Sequence, residues 1–144
     1  MAKTAPKPDV AYKVALVDDP FRLAKLNDCD LELRMRITQV LTAMHALGWP
    51  MIVTDGCRSV EEQQRLYAQG RTRPGLIVTH ADGVAALSNH QSGKACDCCF
   101  VLDGRPSWDA RLPWATYGAC LKAVGLKWGG DWERLHDLPH AELP

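Results

Sequence analysis

Near the C-terminus the chain reads D-W-E-R-L-H-D-L-P-H, Asp131 to His140, and contains two acid-x-x-His units. They are Glu133-x-x-His136 and Asp137-x-x-His140. An acid three residues before a histidine can place a general base beside a metal ligand. One metal cannot easily use both units. Pro139 has a fixed φ and no N–H, and it disfavours helix at Leu138. The end of the chain is therefore extended or turned, and a bend at Pro139 lets Asp137 and His140 converge, which favours the second unit. Upstream, S-N-H-Q-S-G-K-A-C-D-C holds His90 and Asp97, with Gly93 between them to permit a tight turn. Histidine with carboxylate is a common zinc pair, and three protein ligands plus a water make a catalytic site. A lone histidine is more often a surface or core residue than a ligand. Asp97, however, lies within an apolar segment, where an unpaired carboxylate is costly.

The positioning elements can be read from periodicity. Leu33, Ile37, Val40, Leu41, Met44 and Leu47 recur at helical spacing and predict a helix from about Asp30 to Leu47, capped by Asp28 or Asp30 and ended by Gly48. Trp49 to Asp55 reads as a strand. Ser59 and Glu62 form a capping box for a short helix running to Gln69, with Gly70 as its stop. Residues 71–89 carry Pro74, Gly75 and Gly83 with few periodic apolar residues, and read as a long loop of the kind that often serves function. Lys94 to Leu102 reads as a buried strand. Ser107 is placed to cap a helix from Trp108 to about Val124, with Pro113 an awkward presence in its first turns. Leu126 to Trp128 suggests a short strand, and Gly129-Gly130 a turn. Helices and strands without a βαβ rhythm predict an α+β fold with a small antiparallel sheet.

The 144 residues suit one domain, with residues 1–10 as a loose arm. Seventeen basic and seventeen acidic residues give zero formal charge, which argues against a nucleic-acid binder. No run is apolar enough to insert in a membrane, and the N-terminal M-A-K-T-A-P-K-P-D-V lacks the core of a secretory signal. Cytoplasmic synthesis is expected. Six cysteines at 29, 57, 96, 98, 99 and 120 then read as reduced, mostly buried thiols.

Ser88-x-His90-x-x-Gly93-x-Ala95-x-Asp97 resembles the S-x-H-x-x-G-x-A-x-D signature of zinc D-alanyl-D-alanine peptidases, a group that includes the VanX and VanY types and the phage L-alanyl-D-glutamate endopeptidases. The C-terminal W-G-G-D-W…D-L-P-H-A-E-L is similar to the endolysin branch, and G-C-R-S-V-E-E-Q-Q-R-L-Y-A-Q-G-R-T to that family's arginine-bearing segment. The resemblance runs from roughly Thr54 to Leu143, about 60% of the chain. It implies one zinc per chain, bound by His90, Asp97 and His140 with a position left for water. Asp137 would take that water's proton and pass it to the leaving amine. Arg58 would stabilise the oxyanion or hold a substrate carboxylate, and Ser88 would line the pocket.

The implied activity is hydrolysis of peptidoglycan stem peptides, with an L-alanyl-D-glutamate endopeptidase ahead of a D-alanyl-D-alanine carboxypeptidase. A degenerate relative that binds zinc or muropeptide without cutting is the other class. The family picture is a monomer acting on the wall after release through a holin-type pore. The cysteines depart from the pattern. Cys96-x-x-Cys99 fits the letters of a metal or redox motif, but residues three apart on a strand point to opposite faces. Cys96 and Cys98 are expected in the core, with Cys99 on the Asp97 face near the metal. Ala141, where relatives often carry an aromatic, suggests a different pocket shape.

Overall fold

The computed structural model describes residues 19–57, 60–83 and 89–144. The proposed arm, Arg58, Ser59 of the capping box, and Ser88 lie outside the described residues. Among the described residues, three α-helices, α1 (Leu31–Ala46), α2 (Val60–Ala68) and α3 (Trp114–Ala123), accompany five strands. The strands are β1 (Met51–Asp55), β2 (Ala95–Leu102), β3 (Arg105–Ser107), β4 (Lys127–Trp128) and β5 (His140–Glu142). They form one antiparallel sheet in the order β1-β2-β5-β4, with β3 also paired to β2. The expected α+β class holds. None of the described helices is long and apolar enough to cross a membrane.

β2 is the organising strand, since it pairs with β1, β3 and β5. Its A-C-D-C-C-F-V-L sequence is buried along most of its length, as a strand flanked on both edges and covered on both faces requires. α1 starts where Asp30 accepts a hydrogen bond from the Glu32 N–H at 2.8 Å. Leu33, Ile37, Val40, Leu41 and Met44 then bury its inner stripe against β1, β2 and α3. Burying each such side chain contributes roughly 1.5–3 kcal/mol.

Two expectations need correction. The third helix begins at Trp114, not Trp108, because Pro113 occupies its N-cap position with ψ 61°. Residues 109–112 form a turn, in which the Trp114 indole N–H donates to the Asp109 carbonyl at 2.9 Å. Ser107 accordingly ends a strand and does not cap that helix. That strand, β3, is the second departure. Asp103 (φ 51°) and Gly104 (φ 73°) both adopt left-handed backbone and fold Arg105–Ser107 back onto β2. Asp-Gly at a two-residue hairpin turn is the pair that tolerates this geometry.

Candidate metal centre

The register of β2 against β5 brings the site together. Asp97 lies opposite His140, and the adjoining bulged edge of β1 sets Asp55 opposite Asp97. His90 enters from the turn before β2, where the Gly93 N–H reaches back to the His90 carbonyl. His90 and His140 are buried, and Asp97 is mostly so.

The ring nitrogens are committed by their outer partners. His90 Nδ1 lies 2.9 Å from the Gly56 carbonyl, which can only accept, so Nδ1 carries the proton and Nε2 points its lone pair inward. His140 Nε2 lies 2.8 Å from Glu142 Oε2, which leaves Nδ1 inward. The inward atoms form a near-equilateral triangle. His90 Nε2 to His140 Nδ1 is 3.2 Å, His140 Nδ1 to Asp97 Oδ1 3.3 Å, and His90 Nε2 to Asp97 Oδ1 3.5 Å. Tetrahedral coordination with bonds of ~2.0–2.1 Å sets ligand atoms ~3.3–3.4 Å apart, so the donors fit zinc. Asp97 Oδ1 is shielded from solvent, and among the described residues no hydrogen bond reaches it. A buried carboxylate oxygen so placed needs positive charge beside it, from a protonated imidazole or a bound cation.

The electrostatics agree. Burial pushes the Asp97 carboxyl up, but the two facing imidazoles outweigh it and hold Asp97 well below the usual carboxylate range. Burial pushes His140 down, yet Asp97 and Glu142 prevail and raise it to about 9. Without metal, the triangle therefore holds a proton on His140 at neutral pH, and a bound cation takes that proton's place.

Asp137 stands on the wall of the same cavity, whose volume is about 410 Å³. The chain turns at Leu138–Pro139, and the His140 N–H donates to the Asp137 carbonyl at 3.1 Å. Three donors clamp this turn. The Trp128 indole N–H reaches the Leu138 carbonyl at 2.8 Å, while the Tyr117 hydroxyl (2.9 Å) and the Cys98 N–H (3.1 Å) share the Pro139 carbonyl. Gly129 makes room for the turn. A Cβ there would meet the Asp137 carbonyl oxygen at 2.3 Å and His140 Cβ at 2.8 Å.

Among the residues singled out from sequence, His90, Asp97, His140 and Asp137 share one cavity. His136 is exposed and turns its Nδ1 to the Gly130 carbonyl at 3.1 Å, and Glu133 is exposed too. Cys96 and Cys98 are buried in the core as expected. Cys99 is buried there as well and does not line the cavity, and burial pushes its thiol up to about 11, away from the thiolate that metals need. Ala141 packs into the core, so its small size bears on the interior and not on the pocket.

Sequence reasoning missed Glu142 and Trp132. Trp132 places its ring 4.7 Å from the His140 ring. The available signal for Glu142 was strand alternation, which puts residues 140 and 142 on one face.

Residues 82–143 match the family described as D-alanyl-D-alanine carboxypeptidase. It is 40% identical over 107 residues to the peptidoglycan L-alanyl-D-glutamate endopeptidase CwlK of Bacillus subtilis (strain 168), covering 67% of this chain and 62% of CwlK. The chain thus spans about 62% of the length of that curated relative. Among solved structures, the Serratia marcescens L-Ala D-Glu endopeptidase ChiX is similar with a TM-score of 0.64 at 21% identity, over 86% of both chains. The D,D-pentapeptidase VanY, solved in complex with Zn(II), gives a TM-score of 0.58 at 19% identity, over 80% of this chain and 72% of VanY. These two likenesses establish the shared fold.

Proposed function

We propose that this protein is a zinc-dependent peptidase that hydrolyses peptidoglycan stem peptides, cutting between L-alanine and D-glutamate. The observation that carries the reading is the His90–Asp97–His140 triangle, with its lone pairs inward and Asp137 on the same cavity wall. The choice of bond rests on the 40% identity to CwlK. One zinc per chain is expected, held by His90, Asp97 and His140. Zinc there supplies Lewis acidity, polarising a carbonyl and making a water acidic near neutral pH.

The chain's own residues do the rest. Asp137 takes a proton from the attacking water and returns it to the leaving amine. Arg58 steadies the developing negative charge or a substrate carboxylate, a role assigned from the arginine-bearing segment, and Ser88 contacts substrate. The buried histidines and the Trp132 ring exclude bulk water from the donors. The reading extends to a monomeric domain acting at the wall as an endolysin, released through a holin-type pore; the likeness of the C-terminal motif to the phage branch supports this.

A second reading, D-alanyl-D-alanine carboxypeptidase, is favoured by the description of the matching family. Mass spectrometry of digested muropeptides separates the two. Release of a free L-alanyl terminus on the glycan side supports the endopeptidase, and loss of a single D-alanine supports the carboxypeptidase. No cleavage with zinc saturated leaves the non-catalytic relative.

A further inference from the structure

Of the two histidines in the triangle, His140 has the closer carboxylate at its outer nitrogen, since Asp55 Oδ2 stays 3.9 Å from His90 Nδ1. The His90 Nδ1–H donates to a neutral carbonyl, Gly56, whereas the His140 Nε2–H donates to Glu142 Oε2 at 2.8 Å. That oxygen is itself held, because the Asn89 side-chain N–H donates to it at 3.0 Å. Asn89 directly precedes His90. The Glu142 carboxylate therefore bridges the strand bearing one ligand to the turn bearing the other. The backbone repeats this link, since the Lys94 N–H donates to the Asn89 carbonyl at 2.9 Å and the Leu143 N–H to the Lys94 carbonyl at 2.9 Å. Glu142 is mostly buried, with 15% side-chain exposure, so this carboxylate is poorly served by water and depends on these two donors.

We propose that Glu142, oriented by Asn89, is the positioning residue of the centre. It selects the His140 tautomer with Nδ1 inward, stops the ring from rotating out of the triangle, and raises its strength as a donor. The inference rests on the zinc reading above and assigns to Glu142 a function apart from substrate contact. Outer carboxylates on ligating histidines are typically worth about 10–100-fold in metal affinity.

The test measures the zinc dissociation constant of the full chain by competition with a chromophoric chelator, without substrate. Wild type, Glu142→Gln, Glu142→Ala and Asn89→Ala are compared, with metal-free circular dichroism and thermal midpoints as the folding control. Gln keeps the size and one acceptor, so it should weaken zinc about 10-fold and Ala towards the upper end of the ~10–100-fold range. Asn89→Ala should fall between wild type and Glu142→Gln. With zinc saturating, KM should stay near the wild-type value. Dissociation constants within twofold of wild type in folded variants, with KM raised instead, would overturn the proposal and make Glu142 a substrate contact. Wild type that binds no zinc would sink the metal reading itself, a result distinguishable from the first.

Discussion

The cavity has two unlike walls. One is the β2–β5 side, where His90, Asp97 and His140 sit with their outer contacts made by Gly56, Glu142 and the clamped turn at Pro139. The other is α2 and the segment after it, contributing Glu62, Leu66, Gln69, Val78, Thr79 and Ala81. That wall is far less covered: Leu76 is 83% exposed, and Ile77 and Val78 are exposed as well. Gln63, fully buried, ties that segment to α2, its side-chain N–H groups donating to the Ala81 carbonyl at 2.7 Å and Thr79 Oγ1 at 3.2 Å, while Gln69 donates to the Leu76 carbonyl at 2.9 Å and Arg71 to the Thr79 carbonyl at 3.1 Å. The sheet wall is over-determined and suits chemistry, which tolerates little misplacement. The helix-and-loop wall presents apolar surface on a more exposed segment and suits recognition of the substrate's flanks.

The largest effect should come from breaking the sheet wall at a proposed ligand. His140→Ala removes one corner of the triangle and should reduce bound zinc from about one per chain to near zero by elemental analysis. Chelating wild type should reproduce the loss. A ligand present at 100 times its dissociation constant stabilises by about 2.7 kcal/mol, so chelation should lower the wild-type midpoint by roughly 10 °C and leave the variant unmoved. Equal midpoints for wild type with and without chelator would show that these residues hold no metal.

Asp137→Asn tests the same wall without disturbing the donors. Zinc should remain, and turnover should fall ~10²–10⁴-fold, the usual worth of a general base. Retained turnover would move the base elsewhere in the cavity, and Glu62 or Asp55 would be the next candidates.

Gln63→Ala loosens the other wall. It leaves the Ala81 carbonyl without this donor, a cost of about 1–3 kcal/mol. If the walls divide the work as argued, KM should rise several-fold while zinc affinity stays fixed and kcat changes little. A fall in zinc affinity instead would mean that the two walls are one mechanical unit.

How far the sequence foretold this division also differs between the walls. β2 was legible because its apolar run with one carboxylate is unlike any exposed segment, and β5 because Pro139 forces the chain out of helix. Two of the proposed donors, Asp97 and His140, sit on these elements, and His90 sits in the turn before β2. Glu142 was not legible as a partner, since an acid near a chain's end resembles any solvated strand residue until its opposite neighbours are known. The attachment of residues 79–81 through Gln63 was hidden for the same reason. A lone glutamine on a short helix reads as polar surface, and only tertiary packing buries it. The Asp103-Gly104 hairpin was legible in principle, and was lost to the expectation that Ser107 opened a helix.

The smallest expected effect is at His136, and it decides between the two acid-x-x-His units. The units have the same spacing but opposite fates. Leu135 takes a left-handed backbone, φ 50°, and the chain around it lies outside the sheet, so the His136 ring turns to the Gly130 carbonyl and stays exposed. Four residues later the turn at Leu138–Pro139 and the pairing of His140 with Asp97 bury the second imidazole in the triangle. An exposed hydrogen bond of this kind can be replaced by water at little cost, typically within about 0.5 kcal/mol. His136→Ala should therefore keep its zinc, its thermal midpoint within about 2 °C, and most of its turnover. The contrast with His140→Ala is the measurement that counts. If His136→Ala releases the metal and His140→Ala does not, the first unit is the ligand, and the triangle on the sheet is a buried charge cluster with no metal to hold.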